Sequence, residues 1–245
     1  MTREVQSVLL VLLGGALLRI SLTEVHLRYV KPEFAPLLVT GGAVLVVLGL
    51  CGVLLDRAPA DRDSSGGGGD GRSGGHGHAP GAGPQVAWLL LLPVLAIFLV
   101  APPALGSYAA ARNAGTVANP GTSNFLPLPA GDPVETSVLD YATRAMWDQG
   151  RTLAGRTVRI TGFVSPAADD GWFLTRIALS CCAADGRAFK IEVVDGPDPP
   201  PPDSWVEVTG EHVPSDTPPG DDVIPAMRAL EVRTVPPPRN PYDSG

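Results

Sequence analysis

Apolar and polar positions alternate on two different scales along this chain. The N-terminal part carries long, almost unbroken apolar runs, and the C-terminal part carries short alternating ones. The first run is Val5 to Leu22 (VQSVLLVLLGGALLRISL), interrupted by Gln6 and Arg19. The second, Phe34 to Leu55, and the third, Val86 to Leu105, carry no charge. A helix rises ~1.5 Å per residue, so about 20 residues cross a ~30 Å hydrocarbon layer. Each run is long enough, and the spacing predicts three transmembrane helices at about 5–22, 34–55 and 86–105. A buried core helix explains one such run more readily than three. A cleaved signal peptide is disfavoured for the first, because no small-x-small site follows it in SLTEVHLRYVKPE.

Beyond residue 133 the periods shorten. In TSVLDYATRAMWDQG, Val138, Leu139, Ala142, Ala145 and Met146 fall at helical spacing. Thr136 or Ser137 can cap the start and Gly150 can stop the helix. Five strand candidates follow, at 157–164, 171–181, 187–194, 205–211 and 229–235. The first sets Val158, Ile160 and Gly162 against Arg159, Thr161 and Phe163; the fourth sets Val206 and Val208 against Glu207 and Thr209. Ala183-Ala184-Asp185-Gly186, between the second and third, is expected to supply an Asp-Gly hairpin turn with positive φ. The fold class predicted is a membrane-anchored chain: three transmembrane α-helices, then a small mainly-β domain with one preceding helix. Five evenly spaced strands fit an OB-like barrel or an open sandwich, and L-x-G-R-x-V-x-I-x-G-F-V at the first favours the barrel.

The intervening segments complete the organisation. Residues 1–55 hold two spans, and 56–85 form a Gly-rich loop expected to be disordered for want of apolar periodicity. The third span follows at 86–105, an extended tether at 106–133, the β domain at 134–235 and a disordered tail at 236–245. Composition agrees with segregated parts. The 245 residues include 29 Gly and 26 Pro beside 44% hydrophobic side chains, values that suit no single soluble globule. Orientation rests on basic residues near the spans. Arg3, Arg57, Arg62 and Arg72 share the N-terminal side, against Arg28, Lys31, Arg112 and a snorkelling Arg19. The terminal amine tips this near-balance toward a cytoplasmic N-terminus and an extracytoplasmic C-terminal domain in the plasma membrane.

Charge narrows the partners. Residues 106–245 hold 18 acidic and 11 basic side chains, which carries the whole net charge of −7. A barrel of OB type invites comparison with nucleic-acid binders, but a phosphate-binding groove must be basic. Nucleic acid is therefore excluded as a partner, and of Trp172 and Phe173 at least one is expected in the core. No Gly-x-Ser-x-Gly elbow, phosphate loop or His-Glu-x-x-His is present, so the chain is read as non-enzymatic.

The candidate chemistry sits in SCCAADG. Adjacent residues of a strand face opposite ways, so Cys181 and Cys182 can address one site only where the strand ends or bulges. Three readings stand. One cysteine is a small core residue and the other incidental; or both thiolates bind a metal such as Zn²⁺, with Asp185 and His212 completing the set; or the pair is redox-active. His76-Gly77-His78 in the loop forms an auxiliary pair that grips such an ion only weakly.

Two N-terminal spans, a His-bearing loop, a third span and a β domain with GRTVRITGFV, FLTRIALSCCAADGRAFKIEV and WVEVTGE together resemble the bacterial YcgQ-like family of permease subunits. The resemblance covers nearly the whole chain, and residues 181–185 are its most specific part. It implies an accessory membrane protein beside a separate multi-spanning permease, in a setting of metal, particularly zinc, handling. The two-His loop departs from the longer His/Asp tracts of that family. The alternatives are a structural or gating partner without a ligand, and a membrane-tethered thiol redox protein.

Overall fold

The computed structural model describes residues 3–57, 103–121, 124–167, 171–220 and 223–243. They fall into two compact units, a helical hairpin and a β unit formed by residues 27–32 together with those from 103 onward. The hairpin is α1 (Arg3–Leu22) and α2 (Ala35–Arg57). Both are long and apolar enough to cross a membrane, as Val5–Leu22 and Pro32–Leu54. Leu12, Leu13, Val44, Val47, Leu48 and Leu54 stay exposed. The hydroxyls of Ser21 and Thr40 donate to carbonyls one turn back (Leu17 and Pro36, each 2.8 Å), so neither is left unpaired. The third predicted span lies outside the described residues except for its last three positions, 103–105, which are not helical and belong to the β unit, where the Leu105 N–H donates to the Tyr242 hydroxyl at 3.2 Å. His76 and His78, with nearly all of the 56–85 loop, also lie outside them.

Glycine sets the spacing between α1 and α2. A Cβ on Gly14 would stand 2.7 Å from the Gly42 carbonyl oxygen, and one on Gly49 would stand 2.7 Å from Val11 Cγ2. Removing the Cβ lets the two backbones touch, the usual device where hydrophobic sorting cannot drive helices together. Gly15 and Gly41, next to two of these, have nothing within 4 Å of a Cβ position.

The β unit starts with a short helix, α3 (Ser107–Arg112), and a two-residue strand, β1 (Val134–Glu135). Helix α4 (Val138–Trp147) follows, capped as expected: the Ser137 Oγ accepts from the Asp140 N–H at 3.0 Å. It buries Val138, Tyr141, Ala142 and Met146, and Gly150 ends the turn beyond it at φ +68°. The main strands are β2 (Thr157–Pro166), β3 (Trp172–Ala178), β4 (Arg187–Val194), β5 (Trp205–Val213) and β6 (Ala226–Thr234). Antiparallel pairings join β2 to β3, β3 to β4, β5 to β6 and β2 to β5, while β4 and β6 pair in parallel. That circuit closes a five-stranded barrel in the Greek-key order of the OB type, the alternative of an open sandwich being set aside.

The core follows the predicted alternation. Val158, Ile160, Leu174, Ile191, Val206, Val208 and Met227 fill the barrel, with Trp172 among them, so it is unavailable for stacking a base. Tyr141 closes one end: its hydroxyl donates to the Ala226 carbonyl at 2.7 Å. Gly162 is required where β2 bends between partners, since a Cβ there would meet the Thr175 carbonyl at 2.8 Å.

Three boundaries differ from the sequence reading. Residues 106–133 are not wholly an extended tether: α3 packs its buried Ala110 on the barrel, and Ala114 bridges Ala188. Phe163, placed by alternation on the polar face, is buried in a second cluster with Ala110, Ile177, Leu179, Ala188 and Tyr242. The tail is ordered through residue 243, where β7 (Tyr242–Asp243) pairs in parallel with β3. Each departure has one cause: these pieces are too short to show a period, and long-range contacts order them.

A buried ion pair pins β7. Arg176 donates from Nη2 to the Tyr242 carbonyl at 2.9 Å, stands 3.9 Å from Asp243, and lies over the Trp205 ring at 5.1 Å. Removing one partner of such a pair leaves an uncompensated charge. Asp243→Ala is expected to destabilise the protein by about 3 kcal/mol in urea unfolding. Arg176→Met combined with Asp243→Ala should recover most of that loss.

Candidate functional site

Strand β3 ends at Ala178, and the polypeptide turns before β4 begins at Arg187. The end of the strand frees Cys181 and Cys182 from the opposite-facing geometry of regular β structure. Their Sγ atoms lie 3.6 Å apart, and both stand within 4.8 Å of a carboxylate oxygen of Asp185. Cys181 is exposed and the other two are half-buried. Among the described residues, this is the group of His, Cys, Asp or Glu side chains placed to share an ion.

The expected Asp-Gly hairpin is not formed. Ala183–Asp185 make a single 3₁₀ turn, and Gly186 has φ −57°, an ordinary value for any residue. Gly186 matters for room instead, since a Cβ there would come within 2.9 Å of Leu105 Cδ1. Asp185 holds the turn with its side chain. It accepts from the Ser180 N–H at 2.8 Å through Oδ1, and from Cys181 and Cys182 N–H at 2.8 and 3.3 Å through Oδ2. Three consecutive amides thus converge on one carboxylate, which fixes the backbone of both cysteines.

The charges of the site follow from that cradle. A hydrogen bond from the Cys181 thiol, aided by the three backbone amides, holds the Asp185 carboxyl down at about 2. Reciprocally, the anionic Asp185 beside it pushes the Cys181 thiol up to about 12. At neutral pH, Asp185 is ionised and Cys181 protonated. The support Asp185 gives the turn is present above the ordinary carboxylate range and is lost as pH falls toward 2.

Only part of the predicted ligand set comes together. Cys181, Cys182 and Asp185 converge, whereas His212 sits on β5 at the α4 end of the barrel, outside the group. There the Tyr141 hydroxyl lies 3.2 Å from His212 Nδ1. That hydroxyl spends its proton on Ala226, so Nδ1 must donate to it, fixing the tautomer. Burial lowers the His212 pKa, which suits a neutral structural imidazole. Two basic residues close to the pair in the chain stand apart from it: Arg176 is committed to β7, and Arg187 is exposed on β4.

Sequence reasoning missed the segment that borders the turn. Residues Leu27–Pro32, which join α1 to α2 in the chain, belong to the β unit, and Val30 makes an antiparallel bridge with Cys182. Its signal was faint: Tyr29-Val30 is a two-residue stretch of β-formers between charges.

Residues 140–243 match the family model of the DUF1980 C-terminal domain. The match begins within α4 and runs through β7, so it takes in the whole barrel and the Cys-Cys turn. It accords with the likeness of the C-terminal half to the YcgQ-like proteins. No curated protein matches the chain.

The Asp185 cradle makes Cys181 a slow nucleophile, because the thiolate and not the thiol reacts. Asp185→Asn removes the anion while keeping a carbonyl acceptor. Alkylation of Cys181 by iodoacetamide at pH 8 is expected to accelerate by at least about tenfold in this variant. An unchanged rate would show that the carboxylate does not govern the thiol.

Proposed function

We propose that this chain is a non-enzymatic membrane subunit that binds and passes on a borderline metal ion such as Zn²⁺ through Cys181, Cys182 and Asp185. The observation carrying this reading is the convergence of two thiols and a carboxylate on one solvent-facing turn. Two thiolates sharing a tetrahedral ion at about 2.3 Å stand about 3.8 Å apart, whereas a linear ion would need about 4.6 Å. The observed 3.6 Å suits the first. Three protein donors and an open, solvent-facing position characterise sites where ligands exchange, in contrast to the four closed donors of a structural zinc. A thiol redox role is less well served, because a thiol raised to about 12 seldom ionises unless a cation displaces its proton.

The membrane arrangement follows from the connector. Residues 27–32 belong to the β unit, so with α1 and α2 both crossing, the domain shares the connector's side of the bilayer, opposite the N-terminus. In this reading the chain leaves α2 on the N-terminal side, and the uncharged run that begins at Val86 supplies one further crossing that ends before the β unit starts at residue 103. With the N-terminus cytoplasmic, the domain and its thiols face outward. Gly15 and Gly41, with nothing within 4 Å of a Cβ position, leave room for a helix of a multi-spanning permease partner to pack closely.

Zinc titration of the full chain in detergent, in competition with a chromophoric chelator, tests the site. Cys181→Ser/Cys182→Ser should lose at least about tenfold in affinity, and an affinity equal to wild type would sink the metal reading. Binding must displace a proton from each of the two thiols, so affinity should rise by up to about a hundredfold per pH unit between pH 6 and 8. For the topology, single cysteines replacing Glu33 and Ser215 in a Cys-free background should both react with an impermeant maleimide on intact cells. Labelling of one without the other would overturn the arrangement.

A further inference from the structure

The Cys-Cys turn is clamped from two sides, and Asp185 supplies only one clamp. The other is the α1–α2 connector, whose main chain runs antiparallel to the turn as a one-bridge strap. The Lys31 N–H donates to the Cys181 carbonyl at 3.1 Å, and the Ala183 N–H donates to the Tyr29 carbonyl at 2.7 Å. Those bonds flank Cys182, which itself bridges Val30. The strap is fastened at its other end by the C-terminal strand, where the Tyr242 hydroxyl donates to the Arg28 carbonyl at 2.7 Å and accepts from the Leu105 N–H at 3.2 Å. Asp185 fixes the amides of residues 180–182, and the strap fixes the Cys181 carbonyl and the amide after Cys182. Between them, the peptide units on both sides of Cys182 have no slack. The 3.6 Å thiol separation depends on those peptide units.

We propose that the strap is the regulatory element of this site: it holds the pair at chelating separation, and a tetrahedral divalent cation bound there in turn holds the strap down. The inference rests on the metal reading of the site. Its physical basis is reciprocity. Whatever factor strap docking adds to cation affinity, the cation adds to strap docking, because both describe one coupling free energy. The strap is the chain segment that joins α1 to α2, so of the two clamps it is the one that leads out of the turn. The Asp185 clamp is internal to the turn and reports to nothing, which leaves the strap as the route outward.

Two variants weaken the strap without altering a ligand. Lys31→Pro deletes the N–H bonded to Cys181, and Tyr242→Phe deletes the hydroxyl bonded to Arg28. The probe is Zn²⁺ alone, with the full chain in detergent. Each variant should bind zinc about fivefold or more weakly, the lower range of such couplings. In the wild-type protein, zinc should slow hydrogen exchange in peptides covering 29–31 and 183 by a similar factor. Near-UV circular dichroism establishes that the barrel is retained. Should Lys31→Pro lose it, Tyr242→Phe and the wild-type exchange experiment decide. Affinities within twofold of wild type in the folded variants, or exchange that zinc does not change, would overturn the strap while leaving the metal site standing. Equal zinc binding by wild type and the Cys181→Ser/Cys182→Ser variant would overturn both.

Discussion

Closure of the barrel depends on strand β2 serving three neighbours. Thr157–Phe163 pair with β5, Phe163–Pro166 pair with β3, and Val158 and Arg159 also pair with β1. A flat strand cannot bond so many partners, so β2 has to coil, and Gly162 stands at the position where a side chain would block the turn toward β3. Once β2 coils, its second half is covered on both faces, which is why Phe163, Val164 and Ser165 are all buried. The β3–β4 hairpin is thereby carried to the rim of the barrel, and its turn is the Cys-Cys site. The geometry of the thiols is thus inherited from a bend nearly 20 residues earlier in the chain.

Much of this was legible in the sequence. Alternation located every strand of the barrel within a few residues, because half-buried strands write a period of two that nothing else imitates. The cap at Ser137 and the end of α4 near Gly150 were legible from local chemistry. Phe163 was not, because its cover comes from α3 and β7, whose ordering contacts are distant in sequence. Residues 183–186 misled for a different reason. Asp-Gly usually marks a hairpin by its backbone preference, but here Asp185 acts through its side chain, gathering three amides. His212 shows the limit of listing ligands by residue type: its ring is held by Tyr141 and lies outside the Cys-Cys-Asp group.

The site itself combines two demands that ordinarily conflict. A carboxylate that accepts three amides stabilises the turn, and the same negative charge suppresses ionisation of the neighbouring thiol. A cation resolves the conflict, since it favours both the carboxylate and the thiolate. On the metal reading, the turn is quiet toward alkylating agents through its protonated thiol and becomes a strong donor set when a cation displaces that proton.

The Tyr242 hydroxyl has a consequence in time as well as in space. It ties together the Arg28 carbonyl, the Leu105 amide and the edge of β3, three places that the ribosome delivers far apart. Arg28 is made 214 residues before the tyrosine that fastens it. The fastening at Arg28 is therefore available only after the rest of the barrel is made, well after Cys181 and Ala183, which the connector also bonds. The connector between α1 and α2 is thus synthesised before every partner it bonds in the barrel.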